Sequence, residues 1–206
     1  MVDGMFFCVS ALAVGYLLGS IPFGFLVAKA RGVHILSAGS GNIGATNVKR
    51  TVGSIPAAIV LALDVSKGFL AAAWPIHAVG GSAGERLGLL GLLGALLGHM
   101  FSLFLRFRGG KGVAVAIGGC GAVMANVLPL ALLTWVVVFW ASRFVSLASL
   151  SLALMIPLCT YLFGHSPFAC VIAVAMAVLI FVRHLPNLRR LLAGTELRFG
   201  RGERNM

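Results

Sequence analysis

The run VAVAIGGCGAVMANVLPLALLTWVVVFWA, from Val113 to Ala141, decides how often this chain can cross a membrane. Its 29 residues carry no charge. As one straight helix it would be roughly 43 Å long, against an apolar bilayer core of about 30 Å. Asn126 and Pro129 lie near its middle. An interior proline removes a backbone donor and clashes with the preceding turn. The reading is therefore two short helices, broken near Asn126 and Pro129. The flanking cations agree: two crossings leave Lys111 and Arg143 on the same side, whereas one would separate them.

Composition extends this reading to the whole chain. Of 206 residues, 60% are hydrophobic and 10% charged, and the mean hydropathy is +1.04. A water-soluble domain carries about 25% charged residues. A soluble enzyme and a disordered chain are thereby excluded. Further apolar runs occupy about 5–27, 52–76, 87–105, 144–163 and 167–182. With the two halves of 113–141, the expected fold is all-α and polytopic, with about seven transmembrane helices, the fourth and fifth short. Residues 1–206 are read as a single transmembrane domain. Cys8, Cys120, Cys159 and Cys170 all lie in apolar runs without a CxxC pair, so they read as small buried hydrophobes.

The formal charge is +11, from sixteen Lys/Arg against five Asp/Glu. These cations cluster at the ends of apolar runs, the habit of cytoplasmic loops beside anionic lipid and not of a nucleic-acid binder. Fourteen of the sixteen fall on one side of the seven-span topology. Arg86 is left on the other side and Lys67 lies within a run. The basic side is therefore read as cytoplasmic, with the N-terminus outside and the C-terminus inside. No basic residue precedes the first run, as a cleavable secretory signal would require.

The polar residues gather in islands on this basic side. Ser37 to Asn47 contains Gly39, Gly41 and Gly44 in the spacing G-x-G-x-x-G, with Asp64 twenty residues beyond Gly44. A dinucleotide site needs that spacing between a strand and a helix of a βαβ unit, and here a membrane span precedes it. Two readings stay open: a turn-rich polar loop, or an anion site built from backbone amides with Ser40, Asn42, Thr46, Asn47, Lys49 and Arg50. Gly109-Gly-Lys-Gly112 resembles a P-loop, but Gly112 stands where that motif needs a magnesium-binding Ser or Thr. Lys111 is either a phosphate contact or ordinary basic decoration. His99 reads as a helix–helix hydrogen bond or a catalytic group. In the third island His184 and Asn187 share a helical face if the helix continues past Pro186. A frayed, lipid-binding end is the other reading. Asp64 and Lys67, three apart inside a run, read as a steadying ion pair or a functional network.

No HExxH, G-x-S-x-G or His-x4-Asp occurs, and the five acids form no catalytic pair. What remains is a set of amides, hydroxyls and cations suited to phosphates and developing oxyanions.

Gly39-Ser-Gly-Asn-Ile-Gly-Ala-Thr-Asn47, Asp64-Val-Ser-Lys-Gly68, Gly98-His99 with Phe107-Arg-Gly-Gly-Lys-Gly-Val-Ala114, Arg143-Phe-Val-Ser-Leu-Ala-Ser149 and Arg183 to Glu196 occur in this order. Together they resemble the bacterial acyl-phosphate:glycerol-3-phosphate acyltransferases, from Gly19 to Glu196. Ser102 and Arg108 depart from that family's usual proline and lysine. The resemblance implies a multi-pass protein of the bacterial inner membrane with a cytoplasm-facing active site. It implies acyl phosphate and glycerol-3-phosphate as substrates, lysophosphatidic acid and phosphate as products, and neither metal nor cofactor. Membrane lipids are the surroundings, no nucleic acid is a partner, and a monomer is expected. Ser40, Lys111, His184 and Asn187 are the expected catalytic positions. Gly41, Asn42, Gly44, Thr46, Arg50, Gly110 and Ser149 are expected to bind substrate phosphate. The expected site is one cytoplasm-facing pocket holding both phosphates. A small anion or organophosphate transporter is the competing reading, favoured only by Asp64 and Lys67.

Overall fold

The computed structural model describes residues 2–200, with side chains from Gly4 onward. Arg201 and Arg204, counted above with the cytoplasmic cations, lie outside the described residues. Among the described residues the regular elements are all helices, and the chain divides into two compact units, Met1–Val123 and Met124–Met206.

The first unit holds α1 (Val2–Ser20), α2 (Phe23–Ala30), α3 (Ala45–Thr51), α4 (Ser54–Val79), α5 (Gly81–Met100) and α6 (Val113–Val123). The first apolar run is thus two helices, because Pro22 interrupts the backbone ladder after Ser20. In lipid, apolar side chains gain little from leaving the solvent, so helices associate by close backbone approach through small residues. The contacts follow that rule. A Cβ on Gly15 or Gly19 of α1 would collide with the backbone of Gly91 or Ala95 of α5. Gly94 and Gly98 of α5 fit as tightly against Leu12 and Tyr16. Gly68 of α4 meets Val115 of α6, and Gly118 of α6 meets Val65. The loop between α2 and α3 rests on an apolar knot of Ala28, Ile35, Ile43, Val48, Ala57 and Val60.

The second unit holds α7 (Leu128–Ser142), α8 (Val145–Leu162) and α9 (Pro167–Leu192). Arg143, in the left-handed region at φ 61°, turns α7 into α8. Ser166 caps α9, its hydroxyl accepting from the Ala169 amide at 3.2 Å, and Pro167 occupies the first turn, where a missing N–H costs nothing. Leu152, Ala153 and Ile156 of α8 and Ala173, Met176 and Ile180 of α9 are buried, while Val171, Val174, Val178 and Val182 face outward.

The run 113–141 is broken where Asn126 and Pro129 led us to expect: α6 stops at Val123, a 3-10 turn covers Ala125–Val127, and α7 starts at Leu128. Among the described residues, five segments can span a bilayer by length and composition: Gly4–Ala30, Ser54–Val79, Ala125–Ser142, Val145–Leu162 and Pro167–Leu192. This is a multi-pass membrane protein. The two further runs of the seven-span reading are weaker for different reasons. α6 has 11 residues, roughly 16 Å of helix. α5 is long enough, but Glu85, Arg86 and His99 together with its glycines dilute its apolarity. The last run also outgrows its expected end, since α9 continues from Val182 through Pro186 to Leu192.

Candidate active site

In the first unit, the glycine-rich island folds around one side chain. Asn47, 2% exposed on α3, accepts from the Ser40 amide at 2.9 Å through Oδ1. Its Nδ2 donates to Ala38 O at 3.0 Å and Asn42 O at 2.8 Å. Gly39 and Gly41 take φ of 57° and 68°, which glycine adopts freely, and a Cβ on Gly39 would strike Asn47 Oδ1. Asn42 Oδ1 accepts from the Gly44 amide at 2.8 Å, and the Gly41 amide donates to Ala38 O at 3.0 Å. The amides of Ser40, Gly41 and Gly44 therefore hold the loop's own shape. Ser40 is left exposed on it, with Thr46 and Arg50 half-buried on α3.

The second island is draped over α5. Ser102 donates to Ser20 O at 2.6 Å, which pins the chain leaving α5. Arg106 and Phe107 both take left-handed backbone, φ 53° and 62°, and Ser102 pairs with Arg108 across the resulting bend. The chain thus returns Gly109 and Gly110 onto His99. The Gly110 amide donates to His99 O at 3.0 Å, and a Cβ on Gly110 would collide with His99 Nε2. Gly112, at φ 83°, leads into α6, and Lys111 is half-buried between these glycines.

Beneath lies a buried charge cluster. Lys67 Nζ is 2.8 Å from Asp64 Oδ1. It donates to Ile21 O at 2.9 Å, a carbonyl at the Pro22 break, and contacts His99 Nδ1 at 2.9 Å. The steadying ion pair is present, and His99 makes the helix–helix hydrogen bond. The pair that favoured a transporter is engaged within the protein.

In the second unit, α9 brings His184 and Asn187 onto one buried face, 2% and 6% exposed. His184 Nδ1 lies 2.8 Å from Ile180 O. A carbonyl only accepts, so the ring proton sits on Nδ1 and Nε2 is the basic nitrogen. Asn187 Nδ2 donates to Glu196 Oε1 at 2.6 Å. Ser146 Oγ donates to the same oxygen at 2.8 Å, and Arg190 Nε to Oε2 at 2.7 Å. Burial raises the Glu196 pKa, but the bonds from Asn187, Ser146 and Arg190, with the Arg190 charge, outweigh it. The carboxyl titrates below the usual glutamate range. Ser149, buried on α8, has its Oγ 3.4 Å from Trp135 Nε1.

The sequence-predicted residues thus fall into two groups. Ser40, Gly41, Asn42, Gly44, Thr46, Arg50, Gly110 and Lys111 belong to the first unit, and Ser149, His184 and Asn187 to the second. Sequence reasoning missed Glu196 and Ser146 as site-shaping residues. One signal was available: Glu196 is the lone acid between Arg86 and Arg201, amid a run of arginines.

Apolar helices with close glycine contacts, carrying polar loops rich in glycine, hydroxyls, amides and cations, define an integral membrane protein equipped for chemistry on anionic compounds. The family model for glycerol-3-phosphate acyltransferase matches residues 9–194, and the chain belongs to that family. It is 42% identical over 193 residues to the glycerol-3-phosphate acyltransferase of Carboxydothermus hydrogenoformans, covering 93% of this chain and 96% of the relative. With that of Allorhizobium ampelinum it shares 40% over 194 residues, covering 94% and 92%. Among solved structures, it superimposes on PlsY (YgiH), an integral membrane glycerol 3-phosphate acyltransferase, in its glycerol 3-phosphate form. The TM-score is 0.87 at 38% identity, with 96% of each chain covered. The lysophosphatidic acid form of that protein matches with a TM-score of 0.86. Acyltransferase activity in phospholipid synthesis follows from the family.

Proposed function

We propose that this protein transfers a fatty acyl group from acyl phosphate to the 1-hydroxyl of glycerol-3-phosphate, giving lysophosphatidic acid and inorganic phosphate. The observation that carries the reading is the survival of every resembling motif as an ordered polar feature, alongside relatives named for glycerol-3-phosphate acylation. The hydroxyl oxygen attacks the carbonyl carbon of the mixed anhydride. The bond to phosphate breaks, and phosphate leaves with the electron pair. An acyl phosphate is already activated, so positioning and charge stabilisation suffice without a covalent enzyme intermediate.

Arg50 and Lys111 hold phosphate charge, and Ser40, Thr46 and Ser149 supply hydrogen bonds. In the glycine loop, the amides of Gly41 and Gly44 build the scaffold, so its side chains carry the contact with substrate. Asn187 orients the attacking hydroxyl: Glu196 holds its Nδ2, which presents Oδ1 as an acceptor. Two acceptors suit the departing proton, a substrate phosphate oxygen or His184 Nε2, whose tautomer Ile180 O fixes.

The topology we propose has seven crossings, the N-terminus outside and every basic cluster on the cytoplasmic side of the bacterial inner membrane. The whole chain serves this one reaction, as a monomer and without metal.

Purified full-length protein in detergent, given palmitoyl phosphate and glycerol-3-phosphate, should release phosphate and form lysophosphatidic acid. Detergent removes the two compartments that transport needs, so absence of turnover there refutes the reaction. Lys111→Ala should abolish transfer while leaving the melting temperature near wild type. Near-normal turnover by that variant removes the phosphate-clamp role.

A further inference from the structure

The buried cluster of Asp64, Lys67 and His99 is too ordered to be ballast. Its three side chains are 2–4% exposed, where an uncompensated charge is strongly unfavourable. Lys67 faces Asp64 at 2.8 Å, so its Nζ is an ammonium, which only donates. Its 2.9 Å contact with His99 therefore makes Nδ1 an acceptor. The ring proton is thereby placed on Nε2. That nitrogen lies against Gly110, so closely that a Cβ there has no room. The backbone repeats the contact, since His99 O accepts from the Gly110 amide at 3.0 Å. A Cβ on Gly109 would likewise strike His99 O. A chain of close contacts thus runs from the ion pair in α4, through the α5 imidazole, to the glycines preceding Lys111.

We propose that Asp64, Lys67 and His99 are positioning residues: they lock the imidazole in one tautomer and orientation, and the imidazole sets the Gly109–Gly112 segment so that Lys111 meets substrate phosphate. Only Lys111 touches substrate in this account. The inference rests on the phosphate role of Lys111 given above.

The replacement that isolates the effect is His99→Asn. Its amide oxygen reaches the Nδ1 position and keeps Lys67 satisfied, but the ring edge carrying Nε2, the part nearest Gly110, is gone. Steady-state phosphate release from palmitoyl phosphate and glycerol-3-phosphate by full-length protein in detergent gives KM for each substrate. A merely structural residue changes the fraction of active molecules, which lowers Vmax and leaves KM alone. We expect His99→Asn to melt near the wild-type temperature and to raise KM for one or both phosphorylated substrates by more than ~3-fold. KM values within that margin overturn the proposal.

Because KM does not depend on how much protein folds, a second pair decides the matter even if His99→Asn is poorly recovered. Gly110→Ala should raise KM on its own. In a His99→Ala background the same added methyl finds the ring gone and should raise KM little further. Equal KM increments in the two backgrounds overturn the proposal, because they mean the imidazole does not set Gly110. The Lys111 reading is checked separately: if Lys111→Ala is active, that reading has failed. If Lys111→Ala is dead while the His99 and Gly110 variants keep wild-type KM, only the positioning has failed.

Discussion

Two polar clusters, one in each unit, are held by chemically opposite centres. The loop at 38–47 closes on Asn47, a neutral amide that accepts from one backbone N–H and donates to two carbonyls. The α9 cluster closes on Glu196, a carboxylate that accepts from Asn187, Ser146 and Arg190. An amide matches a mixed set of donors and acceptors. A carboxylate matches donors alone, and works only while ionised. The first cluster should therefore be indifferent to acid and intolerant of charge, and the second the reverse.

The largest effect should come from Glu196→Ala, which leaves three donors without their acceptor. The expected loss is about 2–4 kcal/mol, read as a fall in melting temperature in detergent. Asn47→Ala should follow at about 2–3 kcal/mol, since three backbone groups lose their partner. Asn47→Asp sharpens the contrast. It keeps the acceptor for Ser40 but turns an oxygen toward Ala38 O and Asn42 O, and should melt below Asn47→Ala at neutral pH. The reverse ordering would break the account of the loop.

The pH dependence distinguishes the centres next. Glu196 titrates below the ordinary glutamate value of 4.5. Its stabilisation is fully present above that value and is lost as pH falls through its depressed folded-state pKa. The melting-temperature gap between wild type and Glu196→Gln should shrink in that acid window, while the gap between wild type and Asn47→Ala stays constant. The smallest effect expected is Ser146→Ala, which removes one of three donors at a cost of about 1 kcal/mol. An effect as large as that of Glu196→Ala would mean that Ser146, and not the carboxylate, organises the cluster.

Much of this was legible from the residues. The break in 113–141 announced itself because Asn126 and Pro129 interrupt an otherwise uniform run. The Asp64–Lys67 pair was readable because three residues is one helical turn and charges inside a bilayer seek partners. Other features depended on contacts between residues remote in sequence. His99 finds Lys67 32 positions away, and Ser146 finds Glu196 50 positions away. The Pro22 break in the first run was missed because the run's apolarity continues across it. Pro186 left open whether the last helix continues, and it does. Its ring removes one ladder bond, yet His184 bonding back to Ile180 and Asn187 anchored by Glu196 tether the helix on either side. Pro75 and Pro157 also lie inside helices. The glycine motif was visible as a pattern, but which amides it spends on itself was not, because only the folded loop pairs Asn47 with Ser40.

The glycines of α5 have a consequence for how the protein is made. A segment thinned to let α1 and α4 come near is a poor candidate to leave the translocon for lipid by itself. It is joined to α4 by Gly80 alone, and Gly80 and Gly81 both adopt positive φ. In the seven-crossing topology proposed above, the pair would partition as one helical hairpin, the greasier arm carrying the leaner one. In that topology, insertion of the first unit would depend on the two-residue corner at Gly80 and Gly81.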